Sequence, residues 1–206
     1  MKKAITTTLA LLSLVSTAFA ATPAMDLATG QAQIGYSYNN LQTTNDLLGD
    51  LGTYHANDYQ LAYGLSNKLA ITGDSLSSNA RDFYINGGAN TINGLKFNST
   101  AIGLQYKVSN NMAVSAGSLR TELASDSGST SSSEMFGGIA YKQKLSNNIE
   151  GYASYLKSTN VQDMKAGLTY DLGSKTSLDL GYRDYKNTGA GNIAAKGLGF
   201  GINHKF

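Results

Sequence analysis

Two histidines, His55 and His204, are the chain's whole supply of imidazole, and there is no cysteine. Thiolate nucleophiles and thiolate metal sites are therefore absent. His55 lies near Asp50 and Asp58, the residue types that a carboxylate–histidine hydrolytic site uses. The spacing works against it, because residues three apart in a strand point to opposite faces. His204 alternates with Leu198, Phe200, Ile202 and Phe206 on one apolar face, a poor setting for a general base. No serine stands in a nucleophile-elbow frame, and Asp46, Asp50, Asp74, Asp126 and Asp163 lack calcium-loop spacing. The expectation is a non-enzymatic protein without catalytic, cofactor-binding or metal residues.

The elements that carry these residues are strands. From residue 31 onward, apolar residues alternate in runs of about ten, a period of two that marks strand and not helix. Examples are Ile34–Tyr36–Tyr38, Tyr59–Leu61–Tyr63, Ile102–Leu104–Tyr106, Leu178–Leu180–Tyr182 and Met164 to Leu172. Four connections are short and alike: Leu65–Lys68, Val108–Asn111, Leu145–Asn148 and Leu172–Lys175. Their Ser, Asn and Gly suit tight turns. The others are generally longer and polar, near 42–54, 78–96, 123–133, 159–161 and 187–194. The third contains ASDSGSTSSS, a low-complexity stretch expected to be mobile. Ten strands result, or eight if the ambiguous run 149–157 and its neighbour form an external hairpin.

Even strand number, short turns at one end and longer loops at the other predict an all-β, transmembrane, up-and-down antiparallel barrel. Lipid offers no hydrogen bonds, so a closed sheet is the strand solution to crossing it. Tyr63, Tyr106, Tyr141, Tyr170 and Phe206 each sit at the turn end of a descending strand, as an interfacial aromatic girdle requires; Tyr38, Tyr59, Tyr182 and Tyr155 form a second ring. Between the apolar positions lie small and charged residues assigned to the lumen: Asp58, Asp74, Lys107, Glu134, Lys142, Lys165, Asp171, Asp179, Arg183 and Lys196. Both signs occur, which favours an internal ion-pair network over a selective pore lining. The same face carries most of the glycines, so the interior is expected to be nearly full.

Residues 1–20 have a basic start, a short apolar stretch and an Ala18-Phe19-Ala20 ending, the pattern of a cleavable signal peptide. Residues 21–30 then form a short lead-in to a single barrel domain, 31–206. Cleavage removes Lys2 and Lys3 and takes the formal charge of +2 to neutrality, which argues against nucleic acid as a partner. The signal peptide, the YGLSNK, YKVSNN and YDLGSK turns and the last strand together resemble the small, porin-like outer-membrane β-barrel proteins of Gram-negative-type bacteria. The resemblance implies location in the outer membrane and contact with its lipid. It also implies a C-terminal assembly signal, carried by Gly201, His204 and Phe206, that the barrel-assembly machinery reads. Gly199 stands at the signal's polar position, and His204 at its first aromatic one. A structural role or a narrow passive channel is the leading expectation, and adhesion through the outer loops to a surface partner the alternative.

Overall fold

A computed structural model describes residues 26–46, 49–85, 90–189 and 192–206. The expected signal peptide and the first part of the lead-in lie outside the described residues. The strands are β1 (Ala32–Asn45), β2 (Gly49–Gly64), β3 (Leu69–Ser78), β4 (Arg81–Ile85), β5 (Asn90–Lys107), β6 (Met112–Ser125), β7 (Gly128–Lys144), β8 (Ile149–Lys157), β9 (Val161–Gly173), β10 (Thr176–Asn187) and β11 (Ile193–Lys205). Sequence neighbours pair antiparallel, β1 closes on β11, and β3 closes on β5. The short β4 pairs only with the start of β5, above the end of β3. The wall is therefore a closed barrel of ten strands with β4 as an extra upper segment. The run 149–157 is a true wall strand.

Register fixes the barrel's proportions. From Thr44, the paired residues run through Ala194, Lys186, Gln162, Lys157, Gly137, Ala116, Leu104, Ile71 and Tyr63 to Ala32, twelve residues from the start. With a rise of ~3.3 Å per residue and ~4.8 Å between strands, that stagger gives a tilt of about 40° and a radius of about 10 Å.

One wall carries two opposite patterns along its height. Near the turns, outward residues are apolar and inward ones small or polar; nearer the loops the assignment reverses. On β10, Leu178, Leu180 and Tyr182 face out, followed by Asp184 and Lys186, while inward Asp179, Gly181 and Arg183 give way to Tyr185. On β2, outward Tyr63, Leu61 and Tyr59 give way to Asn57 and His55, while inward Gln60 and Asp58 give way to Ala56 and Tyr54. β6 does the same, with Met112, Val114 and Ala116 outside before Ser118 and Arg120, and Leu119 entering the core. The apolar outer belt is about 20–25 Å high by the same geometry, close to the apolar band of a membrane barrel. Above it the barrel is built like a soluble protein, with a buried cluster that includes Leu41, Tyr54, Leu76, Phe97, Phe136 and Tyr185.

This reversal corrects the expected loops. The strands continue past the belt, leaving connections of 46–48, 126–127, 158–160 and 188–192, and the expected loop 78–96 is mostly strand, with β4 and the start of β5 between the connections 79–80 and 86–89. ASDSGSTSSS is not a mobile loop: Leu123↔Thr130, Ala124↔Ser129 and Ser125↔Gly128 belong to the β6–β7 ladder. A strand whose outward residues turn from apolar to polar looks in sequence like a strand that has ended. The four short turns are as expected, and three share one closure, with Leu65, Val108 and Leu145 N–H groups donating to the carbonyls of Leu69, Met112 and Ile149 at 2.8–2.9 Å.

A lysine in the middle of the belt faces hydrocarbon, whereas one above it faces water. Leu168→Lys is expected to destabilise the bilayer-inserted barrel by about 2–4 kcal/mol, and Gln162→Lys, on the same strand, to leave it nearly unchanged. Urea unfolding in lipid vesicles measures both.

Candidate functional site

The lumen is the candidate site, and it is occupied at three levels. The upper level is the apolar cluster. Phe97 lies between Tyr54 and Tyr185, with ring centroids 5.9 and 6.2 Å apart, and Leu41, Leu76, Leu119, Val161 and Ile193 fill the space around them. Aromatic rings of this size close a barrel of ten strands.

The middle level is a charged layer built on Arg183, which is 3% exposed. Its guanidinium donates through Nε and Nη2 to both carboxylate oxygens of Asp163 (2.9 and 2.7 Å) and through Nη1 to Asp58 (2.6 Å). Lys165 contacts Asp163 at 3.5 Å and Asp74 at 3.4 Å. The fork of one arginine thus holds two carboxylates in fixed planes, which a lysine would not do. Arg183 also lies over the Tyr185 ring at 5.6 Å, tying this layer to the apolar one above. Below, the Tyr152 hydroxyl donates to Asp179, 2.7 and 2.8 Å from its two oxygens.

Two aromatic residues reach across the wall in opposite directions over paired glycines. Tyr152 on β8 lies over Gly167, its register partner, and Gly181, the partner of Gly167. A Cβ on Gly167 would stand 2.6 Å from the Tyr152 hydroxyl, and one on Gly181 would collide with it. Phe136 on β7 lies over Gly117 and Gly103 in the same way, with a Gly103 Cβ 2.9 Å from the Phe136 ring. The glycines are needed because a Cβ would meet the backbone carbonyls of Ala116, Ile102 and Leu180 at Gly103, Gly117 and Gly167, as well as these two rings.

The lower level is the mouth on the turn side. The lead-in folds back into it: Gly30 N–H donates to the Gly64 carbonyl (2.8 Å), Gly64 N–H to Gln31 (2.9 Å), and Leu27 packs on Ala62 and Ala70. Asp26 lies 2.8 Å from the Lys142 ammonium and 3.8 Å from Lys107. Glu150 binds Lys142 from the other side at 2.6 Å.

The residues assigned to the lumen from sequence fall at different heights. Asp58, Asp74, Lys165 and Arg183 form the middle layer, Asp179 lies below it, and Lys107 and Lys142 lie in the lower mouth. Asp171 is on the inward alternation but exposed at the rim, where its Oδ1 accepts from Gly173 N–H at 2.8 Å. Glu134 is high on β7 and not in the layer; its carboxylate accepts from the Asn160 amide groups, holding the β8–β9 connection. Lys196 faces out, because Ala195 and Gly197 are the inward residues of that stretch. His55 faces out too, stacked on Tyr38 at 5.5 Å with Nδ1 2.5 Å from Asn40 Oδ1. Asp58 points into the lumen at 0% exposure, so the two form no common site.

Phe206 shifts within the expected girdle. By the barrel geometry, Tyr63, Tyr106, Tyr141 and Tyr170 share a level to within about 4 Å, and His204 shares it with them. Phe206 lies about 5 Å closer to the turns, level with Leu65, Val108 and Leu172. His204-Lys205-Phe206 therefore repeats the Tyr-x-Leu frame of the turns, with histidine in the tyrosine place. His204 Nδ1 is 2.8 Å from the Thr176 hydroxyl, and its ring meets Phe206 edge-on at 4.7 Å. Phe206 N–H donates to the Ala32 carbonyl at 2.9 Å. Gly201, the third residue of the expected assembly signal, is buried where a Cβ would strike the Tyr36 carbonyl.

Sequence reasoning missed Asp163, Tyr152, Asp26 and the inward apolar residues. Asp163 had a signal: it shares the alternation of Lys165, which was assigned inward. Tyr152 had none, since both faces of β8 are mixed.

No protein-family profile matches the sequence, and no curated protein matches it. Among solved structures the chain is similar to Ail, the attachment invasion locus protein of Yersinia pestis, at 14% identity and a TM-score of 0.43, covering 86% of this chain and 99% of that one. It is similar to Neisserial surface protein A at 12% and 0.47, covering 86% and 99%. A third likeness is to the N-terminal β-barrel domain of Pseudomonas aeruginosa OprF, at 12% and 0.39, covering 87% and 100%. At these identities and TM-scores the likenesses carry no argument about activity.

Two outcomes follow from the charged groups. Arg183→Met leaves Asp58 buried without its guanidinium partner and Asp163 with Lys165 alone, and is expected to cost about 3–5 kcal/mol. Adding Asp58→Asn and Asp163→Asn should recover much of it, read by denaturant unfolding. At Asp26, burial opposes the charge, but Lys142, aided by Lys205 and Lys107, outweighs it and holds the carboxyl below its ordinary 3.8. A lowered folded value means the Asp26 contribution is complete above the unfolded value and is lost as pH falls through the folded one. The stability advantage of wild type over Asp26→Asn should therefore be present at neutral pH and shrink as pH falls below about 4.

Proposed function

We propose that this chain is an integral β-barrel of a bacterial outer membrane whose role is structural and surface-presenting, neither conducting nor enzymatic. One observation carries the reading: the lumen is obstructed at three levels by groups that belong to its fold. A solute moving along the axis would have to pass the lead-in and the Asp26–Lys142–Glu150 group, then the Arg183 layer, then the Tyr54–Phe97–Tyr185 stack. The cavities that remain beside these barriers have volumes of about 110 and 180 Å³, in contrast to the aqueous channels of barrels with 16–18 strands. The apolar belt and the aromatic level at the turns support membrane residence. The signal-peptide pattern of residues 1–20 and the likeness of Gly201, His204 and Phe206 to an assembly signal support export and handling by the barrel-assembly machinery.

A surface-interaction role is favoured by the uneven upper rim. Above the reversal, β9 adds little more than Val161 and Gln162, whereas β7 continues upward through Ser133 to Gly128 in register with β6. The upper β6–β7 ladder is a polar, paired platform standing in water, where a partner of the cell surface would meet it.

The two parts of the proposal are separable in planar bilayers. Refolded protein that shows a heat-modifiable barrel band on gels is expected to give no discrete conductance steps above the bare membrane. Reproducible unitary steps would replace the structural reading with that of a narrow channel.

A further inference from the structure

We propose that the lower mouth is a binding site for a small polyvalent anion bearing phosphate. A cavity of about 180 Å³ opens there, many times the ~10–15 Å³ that one water needs. Its charges do not cancel. Asp26 and Glu150 are both committed to Lys142, which leaves Lys144, Lys175 and Lys205 on the cavity wall. None of these three has an ion pair among the described residues. Lys205 is also within electrostatic reach of Asp26, Glu150 and Asp171, and Asp171 already accepts from the Gly173 N–H. The cavity wall therefore carries four ammonium groups, of Lys142, Lys144, Lys175 and Lys205, against the three carboxylates of Asp26, Glu150 and Asp171.

The fold holds them there. Lys205 continues the inward alternation of Gly201 and Asn203 and is half-buried. Its N–H donates to the Lys175 carbonyl at 2.9 Å, so the two lysines come from directly bonded strand ends. Lys175 sits in the tight β9–β10 turn with φ of +66°, a left-handed position that fixes where its side chain starts. Within a concave wall, like charges interact through less water than on an open surface, and their field is focused. Lys144 and Lys175 are exposed at the rim and Lys205 is half-buried behind them, and the excess of positive charge there favours an anion that joins them. Lysines act as point charges without the bidentate geometry of arginine, so three of them around one cavity fit an anion with several charged oxygens. Asn147 and Asn148 border the same cavity and supply amide donors to those oxygens.

The proposal goes beyond the structural role and relies on it only for the side of the membrane that the mouth faces. The phosphate has two sources: a free phosphoanion in the aqueous phase, or the headgroup of a phospholipid bent over the rim. The full barrel refolded in maltoside micelles and titrated with inorganic pyrophosphate tests the first, followed by the backbone amide resonances of Asn148, Lys175 and Lys205. Saturable, single-site shifts are expected. Lys175→Gln with Lys205→Met should weaken binding about 100-fold, near tenfold (1.4 kcal/mol) for each lysine. Lys186→Gln with Lys196→Gln, which removes the same charge from the outer face, should leave it unchanged. The same resonances compared between phosphatidylglycerol and phosphatidylcholine bilayers, without pyrophosphate, test the headgroup; shifts confined to phosphatidylglycerol and lost in the Lys175/Lys205 variant assign the site to lipid. Absence of saturable shifts in both arms, or equal loss in the outer-face control, overturns the site. Failure of the membrane reading is seen separately, as protein that does not float with vesicles.

Discussion

Each strand of the wall is hydrogen-bonded on both sides to its neighbours, and the closed ring of those bonds is the constraint on which the rest depends. Once the ring is shut with a stagger of twelve, strand tilt and radius follow, and the only freedom left to the sequence is what each residue presents to the two sides. The chain uses that freedom twice. Over the lower height it presents apolar groups outward and polar ones inward, and above that level it presents the reverse. The β1–β2 and β6–β7 ladders run on through the reversal, so a wall with an apolar outside and one with a polar outside share the same paired strands.

The interior follows from the same constraint. A radius of about 10 Å leaves room for side chains but not for side chains and a channel. Where the outside is apolar, the inside must consist of groups that satisfy one another without bulk water. Arg183 suits this place because one planar cation neutralises and orients two carboxylates. Where the outside is polar, the apolar residues needed to exclude water move inside, and Phe97 and its two tyrosines close the axis. Arg183 belongs to both regimes, bonded to Asp58 and Asp163 on one side and laid over Tyr185 on the other.

Much of this was legible in the sequence, and the illegible parts share a cause. Alternation and the repeated Tyr-x-Leu-Ser-Asn turns gave the strands, their number and the turn side, because both signals are local. The tall upper hairpins were lost because the pattern that defines a strand inverts at the edge of the belt. Residues 125–133 then present no apolar face at all, and only pairing shows them to be strand. The lumen charges were identified by alternation, which reports the face and not the height; hence Glu134 and Arg183 looked equivalent although one secures a loop and the other organises a layer. Lys196 failed for a simpler reason, a phase slip of one residue. The folded-back lead-in could not be inferred, since its contacts with Gly64 and Lys142 depend on closure of the whole barrel.

Pairing of β1 with β11 has a kinetic consequence. Ala32 and Phe206 lie at opposite ends of the barrel sequence and are joined by a hydrogen bond, so closure is among the most non-local events the chain performs. Contacts of such high sequence separation form late and slowly. Until they form, two complete strand edges stay open, each able to pair with any other free strand nearby. The barrel thus passes through its most adhesive state just before its most inert one, and the interval between them is set by how quickly the last strand finds the first.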